Sequence, residues 1–270
     1  MGPRGSRNIM KEKMRLHLVQ CATVAGRPLA TLAKLQALLA GIRARAGDVL
    51  VFPEMWPSGF SLAERSRLAE ENAACREWLR YYARRFRCTL VGSMLELARG
   101  RAYNQAYAIG PRGETLATYR KIHLFEFGGE HRHFSPGRKV VSFPSSRGRI
   151  GLAVCYDLRF PELFRRLSKA GARLVFVPSA WPRERLDHFL ALLKARAIEN
   201  QCFVVGLNKV GPGRHERPLV YGGHSAVFGP WGKKLAEMGA RAGVSSLELD
   251  LSEVERVRRR YPFLKSRVLG

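Results

Sequence analysis

The sequence lacks the features that define several large classes of protein. No apolar run reaches the roughly 18 residues that a membrane-spanning helix needs, so no membrane partner is predicted. Cysteines are few and odd in number, five in 270 residues, and no Cys-x-x-Cys pair occurs. This argues against a disulfide scaffold and against a zinc site. The basic N-terminal stretch has no apolar core of the kind that a secretory signal contains. Together these absences favour a protein that resides in the reducing cytoplasm.

Acidic residues are also scarce. The chain has 22 Asp and Glu against 47 Lys and Arg, which gives a formal net charge of +25 at pH 7. A positive charge of this size is typical of proteins that bind nucleic acid, membrane surfaces or acidic ligands. The arginines are spread over almost every segment, however, and no nucleic-acid-binding motif is recognisable. We attribute the charge to compositional bias, and nucleic acid is not an expected partner.

What is present is a regular alternation of short apolar strands and amphipathic helices. The composition, 46% hydrophobic, predicts one domain over residues 14–270 behind a disordered basic extension at residues 1–13. Strands are predicted at Leu16–Val19, Val49–Phe52, Thr89–Ser93, Ala102–Ile109, Thr115–Arg120, Ile150–Cys155, Leu174–Val177, Phe203–Leu207, Ser225–Phe228 and Ser245–Leu249. Helices are predicted near Ala30–Arg43, Leu62–Phe86, Glu162–Lys169, Glu184–Glu199 and Ser252–Arg259. This pattern indicates sheets covered by helices.

Three reactive side chains follow predicted strands at the point where each strand ends. Glu54 comes after Val49–Phe52, Lys121 after Thr115–Arg120, and Cys155 closes its own strand. In open α/β sheets the ligand crevice lies outside the carboxyl ends of the strands. We therefore expect these three side chains to converge at one crevice.

Cys155 is the most informative of the three. Pro161, shortly after it, suits the first position of a helix, so the cysteine stands at a strand–turn–helix junction. Such a turn leaves backbone N–H groups that can face a developing oxyanion. The alternative is that Cys155 is a small buried hydrophobe, which is the common role of a cysteine at a strand end. The other cysteines have no comparable context and are interpreted as structural: Cys21, Cys75, Cys88 and Cys202.

A catalytic thiol needs a base, and Glu54 and His123 are the candidates. A carboxylate among apolar neighbours has a raised pKa, which suits proton transfer near neutral pH. Each residue also has a plain structural interpretation. Glu54 could cap a helix or form a surface ion pair, Lys121 could be a solvated lysine, and His123 could be a packed core residue.

Three segments, taken together, resemble the glutamate, lysine and cysteine segments of nitrilase-family carbon–nitrogen hydrolases. They are Phe52-Pro53-Glu54-Met55-Trp56-Pro57-Ser58-Gly59-Phe60, Tyr119-Arg120-Lys121-Ile122-His123-Leu124-Phe125 and Gly151-Leu152-Ala153-Val154-Cys155-Tyr156-Asp157-Leu158-Arg159-Phe160-Pro161-Glu162. Further matches are Tyr103-Asn104, Ala195-Arg196-Ala197-Ile198-Glu199-Asn200, Gly222-Gly223-His224-Ser225 and Pro230-Trp231-Gly232. Each segment alone is weak evidence, but three in the family's order and spacing are strong.

The resemblance implies a four-layer α-β-β-α sandwich of the nitrilase type. It also implies that Cys155 attacks the substrate, that Glu54 is the general base and that Lys121 stabilises the tetrahedral intermediate. The family's additional glutamate matches Glu130, which is expected to orient Lys121 and the base. The family uses no metal, and no cofactor is expected. The histidines beside Glu130 are therefore not interpreted as metal ligands.

The form Cys-Tyr-Asp-Leu-Arg-Phe-Pro-Glu is most similar to the omega-amidase and deaminated-glutathione amidase branches. It predicts hydrolysis of a small carboxylate-bearing amide, such as 2-oxoglutaramate, to acid and ammonia through a cysteine thioester. The backbone N–H of Tyr156 is expected to share the oxyanion with Lys121, while Ser179 and Trp181 are expected to line the pocket. Arg159 could pair with the substrate carboxylate or, equally, form an ion pair that only fixes the turn, with Asp157, Glu162 or Glu184.

Three other functions stay open at this point. An N-carbamoyl compound amidohydrolase would share the glutamate, lysine and cysteine. A nucleic-acid-binding protein would explain the charge. A non-catalytic interaction module is the third alternative, but it would leave the three reactive side chains unexplained. Family resemblance also predicts a homodimer or larger homo-oligomer, with Tyr261-Pro262-Phe263-Leu264 as an intersubunit segment.

Overall fold

The computed structural model describes residues 13–60, 64–214 and 218–268. The strands are β1 Lys13–Gln20, β2 Val49–Val51, β3 Thr89–Ala98, β4 Arg101–Ile109, β5 Thr115–Arg120, β6 Ser142–Ser145, β7 Gly148–Leu152, β8 Ala172–Ser179, β9 Phe203–Asn208, β10 Val210–Arg214, β11 Pro218–Gly222, β12 Ala226–Phe228, β13 Lys234–Glu237 and β14 Gly243–Asp250. The α-helices are α1 Pro28–Leu39, α2 Arg65–Phe86, α3 Pro161–Lys169, α4 Leu186–Asn200 and α5 Ser252–Arg260. β1 begins at Lys13, and the rest of the predicted basic extension lies outside the described residues.

The strands form two mixed six-stranded sheets with the same internal plan. The first sheet has the order β14-β1-β2-β3-β4-β5 and the second β13-β12-β9-β8-β7-β6. In each, three central strands run parallel, and the strands outside them are antiparallel to their neighbours. β10 and β11 form a separate hairpin.

The two sheets pack face to face, and helices cover their outer faces. One apolar cluster joins inward residues of β1, β2 and β4 to residues of β7, β8 and β9. α1 and α2 pack on the other side of the first sheet through the side chains Leu32, Leu35, Cys75 and Leu79. α3 and α4 pack on the second sheet. The predicted four-layer sandwich is confirmed.

The strands that the apolar pattern missed are short or lie at edges. β6 is Ser-Phe-Pro-Ser and β13 is Lys-Leu-Ala-Glu, so each offers little alternation to detect. The hairpin strands β10 and β11 carry glycine and proline, which ordinarily argue against a strand. No helix in the described part of the chain is long and apolar enough to cross a membrane.

The strand that precedes the cysteine is shorter than predicted. It ends at Leu152, and Cys155 opens a 3-10 turn over Cys155–Arg159 instead of closing the strand. α3 begins at Pro161, as the proline predicted. The strand–turn–helix junction is therefore present, with a tight extra turn between its parts.

Candidate active site

Glu54 is held in a fully buried turn after β2. Its backbone N–H donates to the carbonyl of Ser179 at 3.3 Å, which ties the end of the first sheet to the second. The next residue, Met55, has a φ of 46°, in the left-handed region that non-glycine residues rarely adopt. Its N–H donates to Ser93 Oγ at 2.9 Å. These bonds fix a strained turn that aims the carboxylate inward.

Lys121 lies between two buried carboxylates. Its Nζ donates to Glu54 Oε1 at 2.8 Å and to Glu130 Oε2 at 2.7 Å, and all three side chains are about 1% exposed. Burial favours the neutral amine, but the charges of Glu130 and Glu54 outweigh it and hold the pKa of Lys121 well above its usual value. The lysine is therefore a fixed ammonium.

Asn104 on β4 completes this network. Its Nδ2 donates to Glu54 Oε1 at 2.8 Å and to Glu130 Oε1 at 3.2 Å, while its Oδ1 accepts from Ser93 Oγ at 2.9 Å. Glu130 also accepts the N–H of Phe125 at 2.7 Å. Two donors thus hold Glu54 at Oε1, and three donors hold Glu130.

Cys155 stands at the tip of a turn that Asp157 holds closed. The cysteine has a φ of 46°. The buried Asp157 carboxylate accepts from the N–H of Val154 at 2.9 Å, from the hydroxyl of Tyr119 at 2.7 Å and from the N–H of His123 at 3.0 Å. It therefore joins the cysteine turn to the lysine segment.

The electrostatics keep the proton on the resting thiol. Burial raises the pKa of Cys155 well above its usual value, and the Glu54 charge raises it further, whereas Lys121 and the N–H of Ala180, which is hydrogen-bonded to the sulfur, oppose this. Burial also raises the pKa of Glu54; Lys121 opposes this and Glu130 adds to it. The second oxygen of Glu54, Oε2, is buried and accepts no hydrogen bond from a described nitrogen or oxygen donor. That oxygen is available to receive the thiol proton.

A cleft with an empty volume of about 420 Å³ opens onto these groups. Its inner end is polar and its walls are largely aromatic and basic. The lining residues are Glu54, Phe60, Lys121, Phe125, Glu130, Cys155, Tyr156, Arg159, Ala180, Trp181, Pro182, Arg185 and Leu219. The three side chains that follow β2, β5 and β7 do converge at one crevice.

Two guanidinium groups line this cleft and form no ion pair with a described carboxylate. Arg159 lies over the ring of Trp181, with Cζ 4.8 Å from the ring centroid, and its Nη2 is 3.3 Å from His188 Nδ1. Arg185 lies over Phe125 at 5.1 Å. The alternative in which Arg159 only pairs with Asp157, Glu162 or Glu184 is not what the structure shows.

Other predicted positions are placed differently. Ser179 is fully buried and does not line the cleft; its hydroxyl donates to the carbonyl of Val177 at 2.9 Å, because the side chain points back along its own strand. His123, the other candidate base, does not line the cleft either. Its Nδ1 lies 2.8 Å from Asp157 Oδ1, and its ring stacks on Phe160.

Trp181 and Tyr156 lie on the wall as expected. Trp181 is 4% exposed, and its Nε1 has no hydrogen-bond partner among the described residues. The N–H of Tyr156 lies in the first turn of the 3-10 segment, where N–H groups have no partner within the turn. No group of three potential metal-ligating side chains occurs in the described ranges.

The sequence alone did not indicate the roles of Asn104, Ser93 and Asp157. Asn104 belongs to a segment that resembles the family, and a buried asparagine amid apolar strand residues was the available signal. The partners of these polar groups come from distant strands, so only the fold shows what they hold.

Comparison with known proteins now decides the family. A family model described as carbon-nitrogen hydrolase matches residues 15–259. The chain belongs to the carbon–nitrogen hydrolase family, the nitrilase superfamily. Within it, the chain is an amidase acting on non-peptide amides.

Several relatives of this hydrolase are named as amidases. A 2-oxoglutaramate amidase of Bacillus subtilis is 38% identical over 217 residues, which cover 80% of this chain and 83% of the relative. A deaminated glutathione amidase of Synechocystis is 38% identical over 209 residues, covering 72% and 76%. An (R)-stereoselective amidase of Pseudomonas is 35% identical over 260 residues, covering 95% and 92%.

Solved structures agree with the fold of this hydrolase. A CN-hydrolase superfamily protein of Xanthomonas campestris, with an arsenic adduct in its active site, superposes with a TM-score of 0.87 at 31% identity and covers 96% of this chain and 99% of its own. A glutamate-to-glutamine mutant of the amidase from Nesterenkonia, with an acetamide moiety on its active-site cysteine, gives 0.78 at 29% identity and covers 99% of each chain.

Proposed function

We propose that this enzyme hydrolyses a small carboxylate-bearing amide to acid and ammonia, with Cys155 as nucleophile, Glu54 as general base and Lys121 as oxyanion partner. One observation carries the proposal. A thiol, a carboxylate with one oxygen that accepts from no described nitrogen or oxygen donor, and a fixed ammonium meet at the inner end of one cleft. The walls of this cleft carry two guanidinium groups that form no ion pair with a described carboxylate.

The first half of the reaction forms a thioester. Glu54 Oε2 takes the thiol proton as Cys155 Sγ bonds to the amide carbon, and the carbonyl oxygen becomes an oxyanion. When the tetrahedral intermediate collapses, the C–N bond breaks and Glu54 passes the proton to the departing ammonia. The raised pKa of Glu54 suits a group that must both take and return a proton.

The second half releases the acid. Glu54 removes a proton from water as the water oxygen attacks the thioester carbon. The C–S bond then breaks, and the sulfur regains its proton from Glu54. The net reaction converts one amide and one water into one carboxylic acid and one ammonia.

In this scheme Lys121 and the N–H of Tyr156 hold the oxyanion in both halves. Lys121 is already paired with two carboxylates, so its ammonium is held without reorganisation. A well-placed donor of this kind contributes about 3–4 kcal/mol to the transition state. Glu130 fixes Lys121 and touches no reacting atom in this scheme.

The substrate class rests on the two arginines and on the relatives. The relatives include a 2-oxoglutaramate amidase, a deaminated glutathione amidase and an omega-amidase of Yersinia enterocolitica, 36% identical over 257 residues. Such substrates carry a carboxylate at the end away from the amide. Arg159 and Arg185 supply the positive charge that can bind this carboxylate. We propose an omega-amide of a dicarboxylic or 2-oxo acid, such as 2-oxoglutaramate.

An N-carbamoyl compound is the second candidate, because the same three catalytic groups would serve it. Carbon dioxide release along with ammonia separates the two. A nucleic-acid-binding role and a non-catalytic module are disfavoured by the complete set of reactive groups in the cleft.

The test measures ammonia release from 2-oxoglutaramate, from a neutral amide of equal length and from an N-carbamoyl acid. Arg159→Gln and Arg185→Gln are compared with Arg183→Gln, an exposed neighbour outside the cleft. Loss of a charge-assisted hydrogen bond should lower kcat/KM for the carboxylate-bearing amide about 10-fold to 150-fold and leave the neutral amide and the Arg183 variant unchanged.

Equal losses on both amides, or no loss in either cleft variant, would reject the carboxylate class while leaving the amidase chemistry untouched. Preference for the N-carbamoyl acid, with carbon dioxide produced, would favour the second candidate.

A further inference from the structure

Lys209 is a buried cation that the reaction above does not use. It follows β9 at the end of the second sheet, is 1% exposed, and does not line the cleft. It forms no ion pair with any residue in the described ranges. Long charged side chains are almost never fully buried without a partner, so the burial of Lys209 needs a structural explanation.

Its ammonium contacts the turn that carries the catalytic carboxylate. Nζ donates to the carbonyl of Met55 at 3.2 Å. It also lies 5.8 Å from the ring centroid of Phe60 and 5.4 Å from that of Tyr221, within the range of cation–π attraction. Met55 directly follows Glu54 and is the residue with the left-handed φ. Lys209 therefore holds the carbonyl of the strained residue next to the base.

The backbone adds a second link between the same two segments. The carbonyl of Ser179 accepts the N–H of Glu54 at 3.3 Å and the N–H of Lys209 at 3.1 Å. The ends of β2 in one sheet and β9 in the other thus meet at one acceptor. A shift of Lys209 would therefore displace Glu54 through two links, one from the main chain of Lys209 and one from its side chain.

We infer that Lys209 is a positioning residue, whose protonated side chain holds the Glu54–Met55 turn so that the Glu54 carboxylate faces Cys155. Full amidase activity then requires the ammonium form. A neutral amine would keep only a weaker hydrogen bond to the carbonyl of Met55 and would lose its attraction to the two rings.

The charges around Lys209 set the pH range of this effect. Burial lowers the pKa of Lys209 to about 8, and the groups that oppose the shift are Cys21, Glu54 and Cys155. The Tyr221 hydroxyl faces the same region, with its pKa raised by burial. The pKa of Cys155 and that of Lys121 are both raised, which moves them away from this window. Loss of activity as the pH rises through about 8 is therefore the signature of Lys209.

Stability separates positioning from simple structural support. A buried charge without a carboxylate partner opposes folding, and Met is an apolar residue of similar length. Lys209→Met should therefore lose activity without a lower Tm at pH 7. Because the pKa is lower in the folded chain than the usual 10.5, the wild type should gain stability relative to this variant between about pH 8 and 10.5.

The experiment measures kcat, KM and Tm from pH 6 to 10 on the amide that the wild type hydrolyses fastest. The variants are Lys209→Met, Lys209→Arg and, as a control, Lys234→Met on the exposed edge strand β13. We expect Lys209→Met to lower kcat about 10-fold to 100-fold, as a small misplacement of a catalytic group does. Its KM should change by less than about twofold, and the fall near pH 8 should vanish.

Lys209→Arg keeps its charge throughout this pH range. It should therefore retain more activity than Lys209→Met and also lack the fall near pH 8. Lys234→Met should match the wild type. The inference is overturned if Lys209→Met keeps kcat within about twofold of the wild type. It is also overturned if both Lys209 variants still lose activity through pH 8. Should Lys209→Met fail to fold, the pH profile of Lys209→Arg alone tests the inference, which is overturned if that variant still loses activity through pH 8.

Discussion

The two carboxylate oxygens of Glu54 have different surroundings, and this difference is central to the chemistry. Oε1 accepts from Lys121 and Asn104, whereas Oε2 is buried without a nitrogen or oxygen donor from the described residues. One oxygen therefore fixes the carboxylate, and in the proposed mechanism the other exchanges a proton with Cys155. A carboxylate bound on both oxygens would be a weaker base.

Replacing Glu54 with Gln removes the base and leaves the shape of the side chain almost unchanged. We expect kcat to fall about 10²-fold to 10⁴-fold, the usual contribution of general acid–base catalysis. Ammonia release under saturating amide measures this. A Glu54→Gln enzyme with kcat near that of the wild type would show that another group takes the proton.

The acid limb of the pH profile reports the same carboxylate. The proposed mechanism requires ionised Glu54, and burial raises the pKa of this carboxyl. The rate should therefore fall, as the pH decreases, at a higher pH than the roughly 4.3 of an ordinary glutamate. A profile of kcat/KM against pH measures the free enzyme. A limb at or below about 4.3 would contradict the assignment.

For individual residues, the sequence predicted which three side chains meet in the cleft but not what holds them there. Glu54, Lys121 and Cys155 stood out because each follows a strand and lies in a segment that resembles the family. Asn104 and Asp157 could not be assigned roles, because their partners lie on other strands and become neighbours only in the fold.

Helix α4 packs against β9 through a glycine, and this contact supports the strand that leads to Lys209. A Cβ added at Gly206 would lie 2.7 Å from Leu193 Cδ2 and from Phe189 Cζ, both on α4. Those distances are shorter than any ordinary carbon contact, so the helix or the strand would have to move. The absence of a side chain at this position is a packing requirement.

Gly206→Ala should lower the free energy of unfolding by about 1–3 kcal/mol, as overpacking does. Gly41→Ala is the matched control, since a Cβ there meets nothing within 4 Å. Urea unfolding of both variants measures the difference. Equal stability of the two variants would show that α4 adjusts freely.

Helices and strands with strong apolar periodicity could be predicted from the sequence, whereas short strands and edge strands could not. β5 was predicted at its observed bounds, and α3 begins at its proline. The strand before the turn was predicted to run to Cys155 instead of ending at Leu152, so it included the first residue of the 3-10 turn. The geometry of this turn depends on Asp157 accepting bonds from Val154 and Tyr119, which no local pattern reveals.

On the surface of the whole molecule, three aromatic side chains form an exposed stack. The rings of Trp231 and Tyr261 lie 4.4 Å apart, and Phe263 lies 6.2 Å from Trp231. Trp231 is 52% exposed and Phe263 is 61% exposed. Tyr261 and Phe263 belong to the segment expected between subunits, and we propose that this stack is a contact in a homo-oligomer.

The double variant Trp231→Ser, Phe263→Ser should shift the enzyme to a smaller species, because it removes apolar contact area. Light scattering after size exclusion measures the mass. Tyr81→Ser, another exposed aromatic, is the control and should not change it. An unchanged mass in the double variant would place the interface elsewhere.

The most direct test of the whole mechanism compares the wild type with Cys155→Ala in ammonia release from 2-oxoglutaramate and from the neutral amide. The variant should lose about 10⁴-fold or more of the activity while its circular dichroism and Tm match the wild type. Ammonia release by the folded variant at a rate near that of the wild type would contradict a thioester at Cys155.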